Sequence, residues 1–438
     1  MATSYLTRAA QTASSNTTMT ISLWFKRSKI GSGTIWMHEN QASHNAKLLL
    51  FFSGTNDQIS MQSYNGSAEY VLTPTRKFRD LSSWYHVTAV WNTTVATTAD
   101  RMQIWVNGVR ETSFSTANYP SRNHEIDLSN KAHQIGRYGS SGGYSNYWDG
   151  LMSQFILVDG QAYDASKFAE IDSVTGEWKA KTNPTGITYG NRGVWLKMEN
   201  SSNLGLDSSG KNNNYTNGGV IRTLDNPSNS FCSYNPNYKG TRKDLTLANG
   251  NNFIAQQNSG DSSVSATMAI SSGKYYWETR IAQINGTNAA VVGGMHTTED
   301  YNTTPTDVAS ENNTCGLRSN GNAHKNGVNL GNFTAATYNN DIFGVGFDGD
   351  NGAVYFWRNG TALNSGNAVI TGLDMSKTWM PFGICHGGAR VSTSTNFGNG
   401  YFQATAISSA GTNASGNGVF EYNVPSGYTA LSTKGLNL

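Results

Sequence analysis

Five residues in the glycine-rich stretch IGRYGSSGGYSNYWDG, over 135–150, are of the types that can hold a sugar. Aromatic rings stack on the apolar faces of sugars, planar guanidinium and amide groups bond their hydroxyls, and such groups are carried on exposed loops. Arg137, Tyr138, Tyr144, Asn146 and Tyr147 supply both kinds, whereas Trp148 leads into an apolar run and is assigned to packing. The same tyrosines would equally cover a sheet edge or form a protein interface. A second long loop, HTTEDYNTTPTD over 296–307, centres on Tyr301. Loop length of this kind signals function or variability without naming a ligand.

The acidic residues offer less. FDGDNG, over 347–352, has the Asp348-x-Asp350-x-Gly352 spacing that opens a calcium loop. A calcium hand also closes with a bidentate acid at its twelfth position, which here is Asn359, so a turn between strands is expected instead. Asp207, in DSSGKNNN, reads as an Asx-turn. There is no G-x-S-x-G, P-loop or H-E-x-x-H, and the eight histidines show no ligand spacing. Cys232, Cys315 and Cys385 lie far apart without a C-x-x-C, so they read as buried, reduced thiols. No catalytic residue, metal ligand set or cofactor is assigned.

The elements that must position these residues are strands. TISLWFKRS (20–28) alternates Ile21, Leu23 and Phe25. SWYHVTAVWN (83–92) puts Tyr85, Val87, Ala89 and Trp91 on one wholly apolar face, which should be the buried one. MQIWVNGVRE (102–111) and VYFWRNGTAL (354–363) each interrupt an alternating run with Asn-Gly. That pair tolerates the two positive φ values of a type I′ turn, so two hairpins are expected, with Trp105 and Trp357 packing them. YWDGLMSQFILVDGQAYDASKFAEI (147–171) gives a strand, an Asp-Gly turn and a short helical segment. GVWLKMEN is a last strand before LDSSGKNNNYTNGG, which looks too polar for core.

Near residue 225 the text changes to NPSNSFCSYNPNYKGTRKD, and strands then resume with SATMAISSGKYYWETRI, DIFGVGFDGDNGAVYFWRNG and KTWMPFGICHGG. The reading is all-β: two tandem antiparallel β-sandwiches, over 1–225 and 226–438. Composition agrees, since charged residues are only 14% while glycine is 47 of 438. Lys and Arg outnumber Asp and Glu by 20 to 17 over 1–225, and are 11 against 12 over 226–438. Neither half carries the basic excess of a nucleic-acid binder. The N-terminus MATSYLTRAAQTASS has no apolar core of a signal peptide, and no run of 18 apolar residues occurs, so neither export nor membrane insertion is expected.

Four ordered blocks of the first half, TISLWFKRS, WYHVTAVWNTT, RMQIWVNGVRE and YWDGLMSQFILVDGQAYDASKF, resemble the laminin G-like, concanavalin-type jelly roll over about residues 3–215. SSGKYYWETRI, DIFGVGFDGDNGAVYFWRNG and WMPFGICHGG…NFG resemble the SPRY-type sandwich over about 262–424. The two in tandem are similar to virion proteins of tailed bacteriophages. That resemblance implies a non-enzymatic structural protein at the particle surface, made in the host cytoplasm and partnered by other virion proteins. Attachment to host surface polysaccharide, as in a tail fibre or spike, is the first expectation. Capsid decoration or a tail joint is the alternative, and a homo-oligomer is expected without a heptad run to assign its order. The concanavalin-type fold also hosts polysaccharide-degrading enzymes whose E-x-D-x-x-E strand sets two carboxylates about 5–5.5 Å apart. HEIDLSN begins that way with Glu125 and Asp127 but has Asn130 at the third position, and an amide cannot protonate a leaving oxygen.

Overall fold

The computed structural model describes residues 3–39, 47–54, 56–64, 69–126, 131–140, 142–239, 245–256, 262–285, 290–300, 307–385 and 391–437. Two compact units result, one of residues 1–222 with 226–228 and one of 223–225 with 229–438. Both are built from antiparallel sheets, and the one parallel pairing among the described strands joins Lys274–Ile284 to Thr429–Ala430.

In the first unit an eight-stranded sheet runs, in bonded order, Phe114–Asn118, Glu69–Pro74, Ile59–Tyr64, Lys47–Phe52, Gly33–Glu39, Ala132–Ile135, Tyr5–Arg8 and Thr216–Gly218. Facing it is a six-stranded sheet ordered Val194–Leu196, Gly150–Asp159, Thr18–Arg27, Tyr85–Asn92, Met102–Val106 and Val109–Arg110. Alternation decides what lies between them. Leu23, Phe25, Val87, Ala89 and Trp91 from one sheet meet Trp36, Leu48, Leu50, Phe52 and Met61 from the other in a single apolar cluster. Trp148 joins that cluster, edge-on to Phe25, as its position before an apolar strand predicts.

The expected buried face of Tyr85–Asn92 is the one observed, but its other face is buried too: His86, Thr88 and Val90 are all under 4% exposed. The cause is a cap following the long strand Gly150–Asp159. Asp164 accepts from Ser166 N to start a 3-10 turn over Ala165–Lys167, and Phe168, Tyr163, Ile187 and Tyr189 pack with Ile156, Val158 and Trp195. The polar stretch after Leu204 also departs from expectation. Tyr215 is 3% exposed and part of the main core, and Thr216–Gly218 closes the eight-stranded sheet. Local polarity hid one inward ring.

The second unit pairs a sheet ordered Tyr234–Lys239, Ser262–Ala266, Trp379–Cys385, Ala290–Thr297, Thr314–Arg318, Asn322–Lys325 and Val328–Asn332 with a second sheet. That second sheet contains Leu245–Ala248, Phe253–Gln256, Val391–Asn396, Lys274–Ile284, Ile342–Asp348, Ala353–Arg358 and Thr361–Ala362. Tyr275, Trp277 and Ile281 point into the main core. Tyr276 points the other way, into a smaller cluster with Phe231, Phe420 and Tyr428 against which Trp357 packs.

Both Asn-Gly hairpins form by the same local chemistry. Asn107 and Gly108 have φ of 46° and 81°, and Asn359 and Gly360 have 50° and 79°, as a type I′ turn requires. In each, the Asn side chain also accepts from a backbone N–H at the start of the neighbouring strand: His86 N to Asn107 Oδ1 at 2.8 Å, and Ile342 N to Asn359 Oδ1 at 2.9 Å. The two tryptophans part company. Trp357 seals a cluster, whereas Trp105 is half-buried on the outer face of its strand, its indole donating to Gln103 Oε1.

Candidate functional site

Tyr5 and Gln134 alternate with inward-facing neighbours, so both lie on the outer face of the eight-stranded sheet. Tyr5 pairs with Gly218, and a Cβ there would stand 2.4 Å from the tyrosine ring. The missing side chain lets that ring lie over the edge strand. Gly136, at φ +87°, then turns the chain so that Arg137 comes back over the ring. The Arg137 guanidinium carbon sits 3.3 Å from the Tyr5 centroid and 3.4 Å from that of Tyr144, and the two rings are 13° from parallel at 6.4 Å.

A guanidinium sandwiched between two phenol rings is held by cation–π attraction on both faces. Its Nε donates to Gln134 Oε1 at 2.9 Å, which fixes its rotation. Arg137 is therefore 5% exposed while Tyr144 remains 38% exposed. The tyrosine is delivered by a small hairpin, Tyr138–Ser140 with Gly143–Ser145, which rests on the strand below through Gly139 N and Met37 Sδ.

Cross-strand partners share a face, so Tyr138, opposite Ser145, points away from Tyr144, opposite Gly139. Lys47 Nζ donates to the Tyr138 hydroxyl at 2.9 Å and lies 5.5 Å from the Tyr64 ring. The same nitrogen is 5.3 Å from the Tyr138 centroid, the distance expected along the hydroxyl direction, so that contact is a hydrogen bond at the ring edge. Asn146 is exposed at φ 44° and its carbonyl accepts from Thr34 N, making it a turn residue; Tyr147 is half-buried beside it. Arg137 and Tyr144 thus come together, Tyr138 stands on the opposite face of the hairpin, and Tyr301 lies outside the described residues. Sequence reasoning missed Tyr5 and Lys47, which are 132 and 90 positions from Arg137. Only sheet pairing brings them in.

Two serine–histidine pairs test for nucleophilic catalysis. Ser22 Oγ is 2.8 Å from His86 Nε2, and the Trp178 indole donates to His86 Nδ1 at 3.0 Å. An indole only donates, so Nδ1 is bare and the proton is on Nε2, the wrong side to deprotonate serine. Burial pushes the His86 pKa down to about 3, so the ring stays neutral. Ser265 and His296 have the opposite polarity, since His296 Nδ1 faces the Thr297 carbonyl at 2.9 Å and Nε2 is left to accept from Ser265 Oγ. Both are no more than 1% exposed, with the imidazole packed edge-on to Phe382. Neither pair meets a surface among the described residues.

Asp127, Ser129 and Asn130 lie outside the described residues, while His124 packs edge-on against Tyr70. Asp348 accepts from Asp350 N, Asn351 N and Asn351 Nδ2 and pairs with Lys274 at 2.9 Å, so its oxygens are committed to a turn. Asp207 is committed likewise to Trp195 N, Ser209 and Asn213 N. Among the described residues no three His, Cys, Asp or Glu side chains group as a metal site. The three cysteines are buried thiols, and burial raises Cys315 and Cys385 to about 12.

Residues 1–163 match the family model described as the concanavalin A-like lectin/glucanases superfamily. Solved structures similar to the chain include the SPRY domain of human HERC1, at 16% identity and a TM-score of 0.32 over 37% of this chain and 96% of that one. A native heptameric SAP-like pentraxin from Limulus polyphemus is similar at 19% identity and a TM-score of 0.29, over 36% of this chain and 71% of that one. The TRIM65 PSpry domain is similar at 12% identity and a TM-score of 0.29, over 38% and 88%. A search of curated protein sequences finds no match.

Proposed function

We propose that the chain is a non-enzymatic binding protein of the tailed-bacteriophage particle surface, and that its first unit holds a host-cell glycan at the Tyr5–Arg137–Tyr144 stack. The observation that carries this reading is an exposed aromatic ring, Tyr144, fixed in place by a buried guanidinium that is itself fixed by a second ring and an amide. A ring already immobilised loses little conformational freedom on binding, which is what a shallow sugar site needs to gain affinity from one stacking contact. The virion setting rests on the tandem resemblance of the sequence. The lectin-type family match over residues 1–163 supports a binding role for the same unit.

The test is binding of labelled protein to intact, phage-susceptible cells before and after their surface polysaccharide is stripped. Saturable binding that is lost on stripping and weakened by Tyr144→Ala supports the reading. A second reading, a decoration or tail component that binds viral neighbours, is favoured by the edge strand Val328–Asn332. Val328 and Leu330 there are 61% and 38% exposed, at the end of the seven-stranded sheet, where a partner strand could add. Absence of binding to every susceptible host would overturn the glycan reading and leave this one.

A further inference from the structure

The cap over the outer face of the six-stranded sheet carries a polar cleft. After the turn at Ala165–Lys167, Phe168 and Ala169 are buried, and the chain doubles back through a small hairpin that pairs Ala169–Ile171 with Trp178–Ala180. Lys181 N extends that ladder to the Phe168 carbonyl at 3.0 Å. The loop that follows is held in place from within. Pro184 is buried, and Gly186 takes a φ of +64° that a side chain would resist. A Cβ at Gly186 would also stand 3.2 Å from Lys167 Nζ, so this lysine reaches from the turn to the loop. Here lies an open-sided cleft of about 480 Å³, lined by Lys167, Glu170, Lys181, Thr182, Asn183 and Thr185.

Every lining residue is polar, and three are charged. Lys179, in the same hairpin, is matched to Asp172 at 2.8 Å. Lys167, Lys181 and Glu170 are not matched: among the described residues none of them forms an ion pair, with one another or with a neighbour. Lys181 Nζ donates to the Ser166 carbonyl at 2.6 Å, which ties the ammonium to the cleft wall and leaves its other hydrogens for a ligand. Lys167 Nζ has the Tyr163 ring at 5.2 Å and no hydrogen-bond acceptor among the described residues. Nor do the side chains of Thr182, Asn183 and Thr185 form a hydrogen bond within the described chain.

Two ammonium groups beside one cleft attract an anion, and the single carboxylate leaves them a surplus of one positive charge. The rest of the lining is two hydroxyls, an amide and that carboxylate, which are donors and acceptors suited to hydroxyl groups. No apolar wall is present for a hydrophobic ligand, and the volume is that of a small-molecule site.

We infer that this cleft binds a sugar unit carrying one negative charge, the carboxylate of a hexuronate or the sulfate of a sulfated hexose. Lys167 and Lys181 take the anionic group, and Glu170, Asn183 and the two threonines take ring hydroxyls. The cleft lies over the six-stranded sheet and the Tyr144 stack over the eight-stranded one, so this is a second site on the opposite face of the first unit. It stands whether or not Tyr144 holds a glycan.

Calorimetric titration of the full chain with tetragalacturonate, with galactotetraose sulfated once per residue, and with neutral galactotetraose tests the inference. At least one acidic tetrasaccharide should bind roughly tenfold more tightly than the neutral one, as two exposed ion pairs allow, and the tighter of the two identifies the anionic group. Stacking at Tyr144 responds to ring faces common to all three sugars, so the difference reads this cleft alone. Lys167→Gln combined with Lys181→Gln should remove the difference. Glu170→Gln should act the other way and tighten acidic binding about threefold, a gain that damage to the fold would not produce. Equal affinity for acidic and neutral sugars, no binding of either acidic sugar, or a difference that survives the double substitution would overturn the inference. Should the double variant unfold because Lys181 holds the Ser166 carbonyl, Lys167→Gln alone should still reduce the difference about threefold, and no reduction would overturn it equally.

Discussion

Glu278 offers the sharpest quantitative test of how the second unit is held together. It is fully buried, forms no ion pair among the described residues, and its carboxylate accepts from Glu421 N and Tyr422 N at 2.8 Å, from the Tyr276 hydroxyl at 3.2 Å and from the Asn396 side chain. Burial outweighs those hydrogen bonds and raises its pKa to about 7 from an ordinary 4.5. A carboxyl whose folded pKa lies above its unfolded one stabilises the fold fully below pH 4.5, and that contribution is lost as pH rises through about 7. A shift of this size corresponds to about 3 kcal/mol between the two limits. Glu278→Gln cannot ionise, so this slope should vanish. The amide matches the protonated acid in shape but carries an extra N–H toward backbone donors, a cost of about 1 kcal/mol near pH 5. The variant should therefore be slightly less stable than the parent at pH 5 and more stable above pH 8. Urea unfolding followed by tryptophan fluorescence from pH 4.5 to 8.5 measures both, since Trp277 and Trp379 lie in this unit's core. A variant that loses 2–3 kcal/mol at pH 8 would show that the hydrogen bonds to the ionised form prevail, and would refute the reasoning.

Three further outcomes follow from the geometry. Tyr144→Ala should lower glycan binding at least tenfold while costing only about 1 kcal/mol of stability, the loss of one cation–π face on Arg137; cell binding and thermal unfolding separate the two effects. Gly360→Ala should cost about 2–3 kcal/mol in denaturant unfolding, because φ is +79° and the new Cβ would stand 2.6 Å from the Tyr422 ring. Native protein should not react with a thiol reagent at pH 8 and should release three thiols once unfolded, since all the cysteines are buried and reduced.

How far the sequence could be read depended on whether the signal was local. Alternation over Ile21, Leu23 and Phe25, the apolar face of Tyr85–Asn92 and the two Asn-Gly pairs each follow from neighbouring residues, and each is found as expected. Trp105 escaped because alternation assigns it to one side of its strand without saying whether that side is covered; it is the outer one. The burial of His86 escaped for a related reason, because the cap over it includes Trp178, 92 positions on. At the stack, the loop pointed to Arg137 and Tyr144, but Tyr5 enters only because its strand pairs beside Ala132–Ile135.

Register is the step that a single sequence does not supply, and the buried rung of His38, His133 and Arg8 shows what depends on it. His38 follows Trp36 by two and His133 precedes Ile135 by two, so alternation alone puts both histidines on the inward face. Taken singly, each reads as a tolerated core histidine. Pairing of Gly33–Glu39 with Ala132–Ile135 sets them directly opposite one another, and pairing of Ala132–Ile135 with Tyr5–Arg8 adds a guanidinium to the same rung. A slip of one residue in either pairing would turn Arg8 or His133 outward to the face that carries Tyr5 and Gln134. The outer stack at Arg137 and the inner donors at Arg8 are therefore two consequences of one register. Changes at Gly218 or Gly136, which set how Tyr5 and Arg137 lie on the outside, should leave the inner rung intact as long as that register holds.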